Sequence, residues 1–400
     1  MDMKTPIRQA VILAGGKGER LLPLTRTVPK PMAPVYGRPF LEYLITRLRD
    51  EGITDIVLLI GYLGEKIKSH FGDGTRFGVH IAYSNGSPED QTGKRIYDAR
   101  HALHDTFFLL YGDNYWPFIL SRISAEYVRI GAPVLMSVYA NTDGAGEYGN
   151  ENNVALRSDG LVYVYDKMRK DKRAHAIDIG CFVLTRDMCE GMPSGNISFE
   201  EDILPPLVAQ GKVAAYSTEH HYYTITNHDR LLVAEKFFTP KKSVILDRDG
   251  VINKKPREGD YVKRWSEFEF LPDALDAMRM LTRKGYDIFI ATNQRGVARG
   301  YMAEKDVDDI HARMRDVCDK EGISVRGIYA CFHNDTDNCG CRKPKPGMLL
   351  QAAHDHFFDI TKAIFIGDDI RDEQAGNAAG CKTFLLNGQK DLLSIASALS

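Results

Sequence analysis

VILDRDGVIN, residues 244–253, joins a short apolar run to two acids two positions apart and then to a glycine. The apolar run has the length of a buried strand. Side chains two positions apart on an extended segment point the same way, so Asp247 and Asp249 both face the end of the sheet. Gly250 allows the chain to turn there. This stretch predicts an α/β fold with paired carboxylates at the carboxyl end of one strand.

Short apolar runs and helical patterns alternate from this stretch to residue 387, with polar residues where the runs stop. Thr292 ends the next run, Lys343 lies in CRKPKPGML, and acids close IFIGDDIRD (364–372). An aspartyl-phosphate mechanism requires a nucleophile, an acid/base, donors to phosphate oxygens and an Mg²⁺ site. Each pair of residues alone could cap a helix or make a turn. Their order, each group after a strand, favours phosphoryl transfer.

Four motifs of this half resemble the haloacid dehalogenase superfamily of phosphatases over residues 243–400: DRDGVIN, TNQRGVARG, CRKPKPGML and GDDIRDEQAG. More narrowly, they resemble the D-glycero-D-manno-heptose-1,7-bisphosphate 7-phosphatases. The resemblance implies a sugar bisphosphate substrate, with Asp247 as nucleophile and Asp249 as general acid and base. It implies that Thr292 and Lys343 bind the transferred phosphoryl group. Substrate contacts would come from Asn293, Arg299 and Arg342, and Mg²⁺ would be held by Asp247, by Asp249 through its backbone carbonyl, and by Asp368.

Two positions of this half depart from that family pattern. Arg295 stands where many relatives have Ser or Ala, and an additional arginine near the entrance suits a second phosphate on the substrate. Asp369 stands where some relatives have Lys. The motifs leave no room for a large cap domain, so we expect short loops to set the specificity.

Cys331, His333, Cys339 and Cys341 lie within eleven positions. Four such ligands are enough to close a tetrahedral Zn²⁺ site. The spacing differs from that of ordinary zinc fingers, so on chemistry alone unliganded thiols remain an alternative. A disulfide is disfavoured, because Cys339 and Cys341 are too close in sequence to pair easily. The resemblance to the phosphatases implies a structural zinc loop that presents Arg342 and Lys343 to the active site.

The first half of the chain has an alternation of its own. Apolar runs cover 10–16, 55–61, 79–84 and 107–113, with helical patterns between them. This βαβ pattern predicts a mainly parallel sheet with sites at the carboxyl ends of its strands. The alternation restarts after FTPKKS (238–243). We therefore predict one domain over residues 1–238, a linker over 239–243 and a second domain over 244–400.

LAGGKGERLLPLTRTVPKPM (13–32) follows the first predicted strand directly. Its glycines let the backbone turn and bring N–H groups against phosphate oxygens, and its basic residues offer cationic donors for a triphosphate. A glycine-rich turn alone could be structural. The longer pattern resembles the sugar-1-phosphate nucleotidyltransferases over residues 7–238. GRPFLEYLI (37–45) resembles the heptose- and mannose-1-phosphate guanylyltransferase branch.

That resemblance implies that a sugar 1-phosphate attacks the α-phosphorus of a nucleoside triphosphate, with GTP as the expected nucleotide, and that pyrophosphate leaves. Catalytic Arg20 and Lys30, with Mg²⁺ on Asp113, would stabilise the phosphates. The nucleotide would be bound by Gly15, Gly16, Gly18, Arg20, Lys30, Thr92 and Gly93. The sugar phosphate would be bound by Lys167, Asp178 and Glu200. The expected fold is a Rossmann-like, GT-A-like mixed sheet, followed by a haloacid dehalogenase-like Rossmannoid domain without a large cap.

This half departs from its family at three places. Glu19 stands where most members have Thr or Ser, and QTGKRIYDA (91–99) replaces a glycine-rich segment. Thr224, in YYTITNHDRL (222–231), stands where the second Mg²⁺ ligand is expected, and a hydroxyl is a much poorer Mg²⁺ ligand than a carboxylate. Either Asp113 and the substrate phosphates hold the metal, or this domain is slow or inactive. We expect activity.

The composition narrows the remaining possibilities. A formal net charge of −2 provides no global attraction for nucleic acid or an anionic membrane. Apolar runs are too short for a membrane span and the start lacks a signal-peptide core, so we expect a cytoplasmic protein. The seven cysteines are an odd number, which argues against a disulfide framework. Self-association is left open.

The two resemblances fit one pathway, because removing the 7-phosphate of a heptose 1,7-bisphosphate yields the sugar 1-phosphate that the first domain would activate. We therefore expect a bifunctional enzyme of nucleotide-activated heptose biosynthesis. One alternative is a hexose-1-phosphate transferase of the mannose type, joined to a phosphatase for another sugar phosphate. Another is a first domain that binds nucleotide without catalysis.

Overall fold

The computed structural model describes residues 7–141, 151–257, 259–387 and 390–400. The chain divides into two compact units, residues 1–236 and residues 237–400. Helix α7 (His228–Phe238) and strand β14 (Lys242–Leu246) are separated only by residues 239–241. No helix within the described residues is long and apolar enough to cross a membrane.

The first unit is built around a seven-stranded sheet, with short two-stranded ribbons beside it. Its strands are β1 (Gln9–Ala14), β2 (Pro34–Val35), β3 (Arg38–Pro39), β4 (Asp55–Ile60), β5 (His80–Asn85), β6 (Thr106–Tyr111), β7 (Asn114–Tyr115), β8 (Val134–Tyr139), β9 (Val154–Leu156), β10 (Val162–Tyr165), β11 (Ile177–Thr185), β12 (Val213–Thr218) and β13 (Tyr223–Thr224). Its helices are α1 (Phe40–Asp50), α2 (Gly64–Phe71), α3 (Thr92–Ala99), α4 (Leu120–Ile130), α5 (Arg186–Glu190), α6 (Leu204–Ala209) and α7.

The large sheet is mixed, with the order β12-β8-β11-β6-β1-β4-β5. Strands β4, β5 and β6 join β1 in a parallel block, as the alternation of apolar runs predicted. Strand β11 runs antiparallel between β6 and β8. The mixed α/β architecture is thereby confirmed for this unit, and its parallel block places the loops after β1 and β6 side by side.

The second unit is a five-stranded parallel sheet with helices on both faces. Its strands are β14, β15 (Tyr286–Asn293), β16 (Val325–Cys331), β17 (Ile364–Gly367) and β18 (Lys382–Leu385). Its helices are α8 (Ala274–Arg283), α9 (Glu304–Lys320), α10 (Gly347–Asp355), α11 (Ile370–Ala379) and α12 (Leu392–Ala398). The strand order is β16-β15-β14-β17-β18.

Alternate residues of β14 bury against the two opposite faces of this sheet. Val244 and Leu246 pack with α8, α9 and α12, whereas Ile245 packs with α10 and α11. This double covering explains why the strand reads as a continuous apolar run. Within the described residues, no inserted domain separates β14 from α8, which agrees with the expected absence of a large cap.

Candidate active sites

Polar residues of the second unit converge at the carboxyl ends of its central strands. Asp247 follows β14, Thr292 lies at the end of β15, and Asp368 follows β17. Because β15 and β17 flank β14 on opposite sides, the loops after them diverge and leave a crevice. A cavity of about 540 Å³ opens there. The residues predicted from the sequence that line it are Asp247, Asp249, Thr292, Asn293, Arg342, Lys343 and Asp368.

Lys343 is held in this cavity by two aspartates. Its ammonium lies 2.8 Å from Asp247 Oδ1 and 2.7 Å from Asp372 Oδ1, and it donates to the carbonyl of Ala291 at 2.9 Å. The side chain is only 2% exposed. Burial alone would lower the pKa of Lys343, but the two carboxylates outweigh burial and raise it. Lys343 is therefore a fixed cation beside Asp247.

Asp372 is a site residue that the sequence reasoning did not single out. Besides pairing with Lys343, its Oδ2 accepts the backbone N–H groups of Asp368 and Asp369, each at 3.1 Å. The residue therefore fixes the loop after β17 as well as the lysine. The only sequence signal was its place in IFIGDDIRD, where a helix cap accounts for it equally well.

The two acids of DRDG lie in different electrostatic environments. Burial raises the pKa of Asp247 to about 7, against the opposing charge of Lys343. Burial would also raise the pKa of Asp249, but the Arg248 guanidinium, which contacts both carboxylate oxygens at 3.0 Å, holds that pKa below its usual value. Asn253 and Gln294 each donate to Asp249 at 2.9 Å. Asp249 is thus held as a carboxylate and Asp247 is the more easily protonated of the two.

Arg248 is also absent from the sequence predictions, although it is fully buried beneath Asp249. Its Nη1 donates to Nε2 of His311 at 3.1 Å. Burial lowers the pKa of His311 to about 3, so this imidazole is neutral and able to accept. An arginine between two acids has no local pattern that distinguishes it from a surface residue. The sequence therefore could not show that Arg248 is buried and contacts Asp249 and His311.

The carboxylates of Asp247, Asp368 and Asp372 place oxygen atoms within 4.8 Å of one another. Oδ1 of Asp368 is buried and has no hydrogen-bond partner among the described residues, and burial raises the pKa of Asp368. An all-oxygen set with an unpaired buried carboxylate oxygen fits Mg²⁺. Gly250 has a φ of +97°, and a Cβ there would lie 2.1 Å from Asp368 Oδ2, so only glycine suits this turn.

Asn293 and Arg299, both expected to contact the substrate, differ in their position relative to the cavity. Asn293 lines the cavity. The Asn293 amide donates to the carbonyl of Lys343 at 3.0 Å and accepts its N–H at 3.1 Å, so it holds the lysine backbone. Arg299 is exposed and is not among the described residues of the cavity lining.

Two other arginines, Arg342 and Arg295, do line the cavity, and both donate hydrogen bonds to Asp335. One acid therefore orients two arginines.

A single cluster at the end of β16 brings together Cys331, His333, Cys339 and Cys341. The three sulfur–sulfur separations, and the separations of His333 Nδ1 from the sulfurs of Cys331 and Cys341, lie between 3.3 and 3.7 Å. Ligands of a tetrahedral Zn²⁺ ion, bound at about 2.0–2.3 Å, stand at similar separations from one another. None of the cysteines forms a disulfide. The cluster can hold a metal ion, and Arg342 and Lys343 follow it directly in the chain.

A second cavity, of about 650 Å³, lies in the first unit near the ends of β1 and β6. The residues predicted from the sequence that line it are Gly15, Gly16, Gly18, Arg20, Lys30, Thr92, Asp113, Lys167 and Glu200. Lys30 forms an ion pair with Asp113. Burial would raise the pKa of Asp113, but Lys30, with a smaller contribution from Arg20, leaves it below the usual value. This carboxylate is therefore charged and lies beside two cations.

Glu200 lies in a π-helical turn (Phe199–Ile203) and is 5% exposed. Tyr111, Thr92 and Ser198 all donate to its carboxylate, so the acid is fixed in place.

Asp178 is not among the described residues of the cavity lining. It accepts a hydrogen bond from Tyr165 at 3.2 Å and from the Gly180 N–H at 2.8 Å. Burial raises the pKa of Asp178 to about 6.

Thr224 lies on β13, which pairs with β7 beside Asp113. Its hydroxyl lies 2.6 Å from that of Thr226, and Thr226 lines the cavity. Within the described residues, no group of three acids, histidines or cysteines gathers around Asp113. The position expected to hold a second Mg²⁺ ligand thus presents hydroxyl groups, and Asp113 is the carboxylate that remains for the metal.

Arg95 is a third residue that the sequence reasoning missed. Its buried guanidinium donates to the carbonyls of Gly15, Ile60 and Ser87. A Cβ on Gly15 would lie 2.3 Å from Arg95, so the glycine is needed for this close approach. Gly93, by contrast, packs against the backbone of residues 197–199 and is not among the described cavity-lining residues.

Two cavities rich in cations and carboxylates define an enzyme with two sites for phosphate chemistry. Residues 9–239 match the nucleotidyl transferase family, and residues 199–380 match the haloacid dehalogenase-like hydrolase family. The first match covers more than half of the chain. The protein therefore belongs to the nucleotidyl transferase family and carries a haloacid dehalogenase-like phosphatase as its second domain. The predicted resemblance and enzyme class are confirmed.

The phosphatase part is similar to curated proteins. It is 38% identical to the D-glycero-beta-D-manno-heptose-1,7-bisphosphate 7-phosphatase of Pseudomonas aeruginosa over 156 residues, which are 39% of this chain and 86% of that protein. It is 41% identical to the D-glycero-alpha-D-manno-heptose-1,7-bisphosphate 7-phosphatase of Campylobacter jejuni over 145 residues, which are 36% of this chain and 81% of that protein.

The first unit is similar in fold to the crystal structure of HddC from Yersinia pseudotuberculosis. The TM-score is 0.51 at 23% sequence identity, and the match covers 58% of this chain and all of that one. The likeness supports the mixed-sheet fold of the amino-terminal unit.

Proposed function

We propose that the second domain hydrolyses the 7-phosphate of a D-glycero-D-manno-heptose 1,7-bisphosphate, and that the first domain transfers GMP from GTP to the resulting heptose 1-phosphate. The arrangement of Lys343 between Asp247 and Asp372 carries the phosphatase half, because it places a buried cation beside a nucleophile at the end of β14. Similarity to heptose bisphosphate phosphatases supports the substrate. A GDP product favours the α-anomer.

In the phosphatase, a carboxylate oxygen of Asp247 attacks phosphorus and the bond to the sugar oxygen breaks. Lys343 and the Thr292 hydroxyl bind the transferred phosphoryl oxygens. Asp249 gives a proton to the departing sugar oxygen, then takes one from the water that hydrolyses the aspartyl phosphate. The contacts of Asp249 with Arg248 favour its role as base, whereas its role as acid requires a proton that these contacts oppose.

Asp247, Asp368 and the backbone carbonyl of Asp249 would hold Mg²⁺ in this domain. When bound, the ion supplies positive charge to the phosphoryl oxygens. Asp372 has both oxygens engaged, one with Lys343 and one with backbone N–H groups, so its part is to orient the lysine. The Cys331, His333, Cys339 and Cys341 cluster would hold a structural Zn²⁺ that has no open coordination position.

In the transferase, Arg20 and Lys30 bind the triphosphate and stabilise the charge that develops on pyrophosphate. The sugar 1-phosphate oxygen attacks the α-phosphorus, the bond to the β-phosphate oxygen breaks, and pyrophosphate leaves. Lys167 lies on the cavity wall and would bind the sugar phosphate, while Glu200, fixed by its three donors, would accept from sugar hydroxyls. Asp113 would hold Mg²⁺ together with the nucleotide phosphates.

The test is mass spectrometry of products formed from α-heptose 1,7-bisphosphate, Mg²⁺ and each nucleoside triphosphate separately. We expect wild type to make GDP-heptose, and Asp113→Ala to accumulate heptose 1-phosphate because the phosphatase is untouched. Glu201→Ala, beside the buried Glu200 but exposed, is the matched control and should behave as wild type. Accumulation of heptose 1-phosphate by the wild type with every nucleotide would overturn the transferase half, and intact bisphosphate would overturn the phosphatase half.

A carboxylate at position 224 should strengthen metal binding in the transferase, because Thr224 occupies the place of a family Mg²⁺ ligand. We expect Thr224→Asp to lower the Mg²⁺ concentration needed for half-maximal transfer by about tenfold. Thr224→Asn, similar in size but uncharged, should not lower it. The measurement is transfer rate against Mg²⁺ concentration with heptose 1-phosphate as substrate. Equal effects of Asp and Asn would show that position 224 does not face the metal.

A further inference from the structure

One wall of the transferase cavity carries a carboxylate that belongs to none of the phosphate or sugar contacts. This wall is the segment 87–92, of which Pro88, Asp90, Gln91 and Thr92 line the cavity together with the glycine loop. Arg95 ties the wall to the loop: its Nη2 donates to Gly15 O at 3.2 Å and its Nε donates to Asp90 O at 3.0 Å. Asp90 therefore lies close to the start of the glycine loop.

The two oxygens of the Asp90 carboxylate differ in their surroundings. Oδ2 accepts the backbone N–H of Ser87 at 2.7 Å, which anchors the side chain in a tight turn. Oδ1 has no hydrogen bond or ion pair within the described ranges of the chain. The residue is half-buried and its backbone is held by Arg95. Oδ1 is therefore free to accept a hydrogen bond, and the contacts of Ser87 and Arg95 fix its position.

The position of this acceptor relative to the cations indicates what it faces. Lys30 packs against Gly18, at the far end of the glycine loop from Gly15, and Arg20 follows Gly18 by two residues, so these two cations mark the triphosphate end of the cavity. A nucleotide whose phosphates lie on these cations can extend its base along the loop toward Gly15, and Arg95 connects Gly15 to the wall 87–92. This placement rests on the proposed nucleotidyl transfer, since it takes the cations as the triphosphate site.

We propose that Asp90 selects guanine by accepting hydrogen bonds from N1–H and the 2-amino group of the base, with Oδ1 and with the lone pair of Oδ2 that Ser87 leaves free. A carboxylate only accepts hydrogen bonds, and guanine alone among the common bases presents two adjacent donors on this edge. Adenine presents an unprotonated N1 and no 2-amino group, so its N1 lone pair would face the carboxylate. Uracil and thymine flank their single N3–H with carbonyl oxygens, which a carboxylate repels. Asp90 thus favours GTP and disfavours the other nucleotides.

The experiment is calorimetric titration of the full chain with GTP, ITP, ATP and UTP, in Mg²⁺ and without sugar. ITP is GTP without the 2-amino group, so it probes one hydrogen bond. We expect wild type to bind GTP about tenfold more tightly than ITP, and Asp90→Asn to bind GTP about 10- to 100-fold more weakly, as expected for loss of one bidentate pair. The asparagine oxygen can still accept from Ser87 N–H, so a purely structural role of Asp90 would leave the binding of GTP unchanged.

Glu89→Gln is the matched control, because it removes a neighbouring carboxylate that is 66% exposed and paired with Lys17. We expect it to retain the preference for GTP over ITP. Equal binding of GTP and ITP by wild type, or an unchanged preference in Asp90→Asn, would overturn the inference. Tight, Asp90-dependent GTP binding without GDP-heptose formation would instead overturn the proposed transfer and leave the role of Asp90 standing. Formation of a nucleotide-heptose from a different nucleotide would overturn the role of Asp90 and the choice of GTP, and would leave nucleotidyl transfer to heptose 1-phosphate standing.

Discussion

Replacing Asp247 by asparagine is expected to lower hydrolysis of heptose 1,7-bisphosphate by roughly 10⁴-fold or more, because an amide cannot form the aspartyl phosphate. The variant should fold, since asparagine has the same shape and Lys343 keeps its 2.7 Å contact with Asp372. The measurement is release of inorganic phosphate from the bisphosphate by the full-length variant.

Transfer from GTP to supplied heptose 1-phosphate is the internal control for that variant. It should proceed at the wild-type rate, because the residues that line the first cavity lie between positions 13 and 226. Asp287→Asn is a second control, since Asp287 is a half-buried acid on β15 that pairs with Arg326 outside the cavity. Phosphate release within tenfold of wild type in Asp247→Asn would exclude Asp247 as the nucleophile.

Loss of the metal cluster is expected to have the next largest effect. Replacing Cys339 by serine should abolish stoichiometric zinc and lower phosphatase activity by about 100-fold or more. Segment 334–340 consists of Asn, Asp, Thr, Cys and Gly and has no apolar core of its own, so a bound metal ion would take the place of a core. Asp335, which orients Arg295 and Arg342, lies in this segment. The measurements are zinc per chain by elemental mass spectrometry and phosphate release.

Cys318→Ser is the matched control for this substitution. Cys318 is a fully buried thiol on α9 and lies outside the cluster, so its replacement should leave the zinc content unchanged. Nucleotidyl transfer should also be unaffected in Cys339→Ser. A wild-type chain without zinc, or a zinc-free variant with full phosphatase activity, would contradict the structural role.

The residues predicted from the sequence are those whose chemistry follows directly from a strand end. The apolar run that opens VILDRDGVIN (244–253) overlaps the end of β14 (Lys242–Leu246), and the two acids that follow it lie at the sheet edge. The apolar pattern could not show that β11 inserts antiparallel between β6 and β8, because periodicity carries no information about pairing direction.

The residues that were missed act through partners distant in sequence. Asp372 matters because it meets Lys343, and Arg95 because it fills a space beside Gly15. Arg248 was missed for the same reason, since it looks like an ordinary charged residue until its buried contact with His311 is known. Contacts of this kind leave no local motif, so only the folded chain reveals them.

The parallel sheet of the second unit has a consequence for the order of synthesis. Its nucleophile is on β14, yet the lysine and the acid that complete the cavity come after β16 and β17, and the last lining residue is Asp372. A growing chain leaves the ribosome from its amino terminus and domains fold as units. The transferase cavity, whose lining residues end at Thr226, can therefore form while the phosphatase is still being translated. About two thirds of the second domain must therefore be synthesised before Lys343 can lie beside the nucleophile.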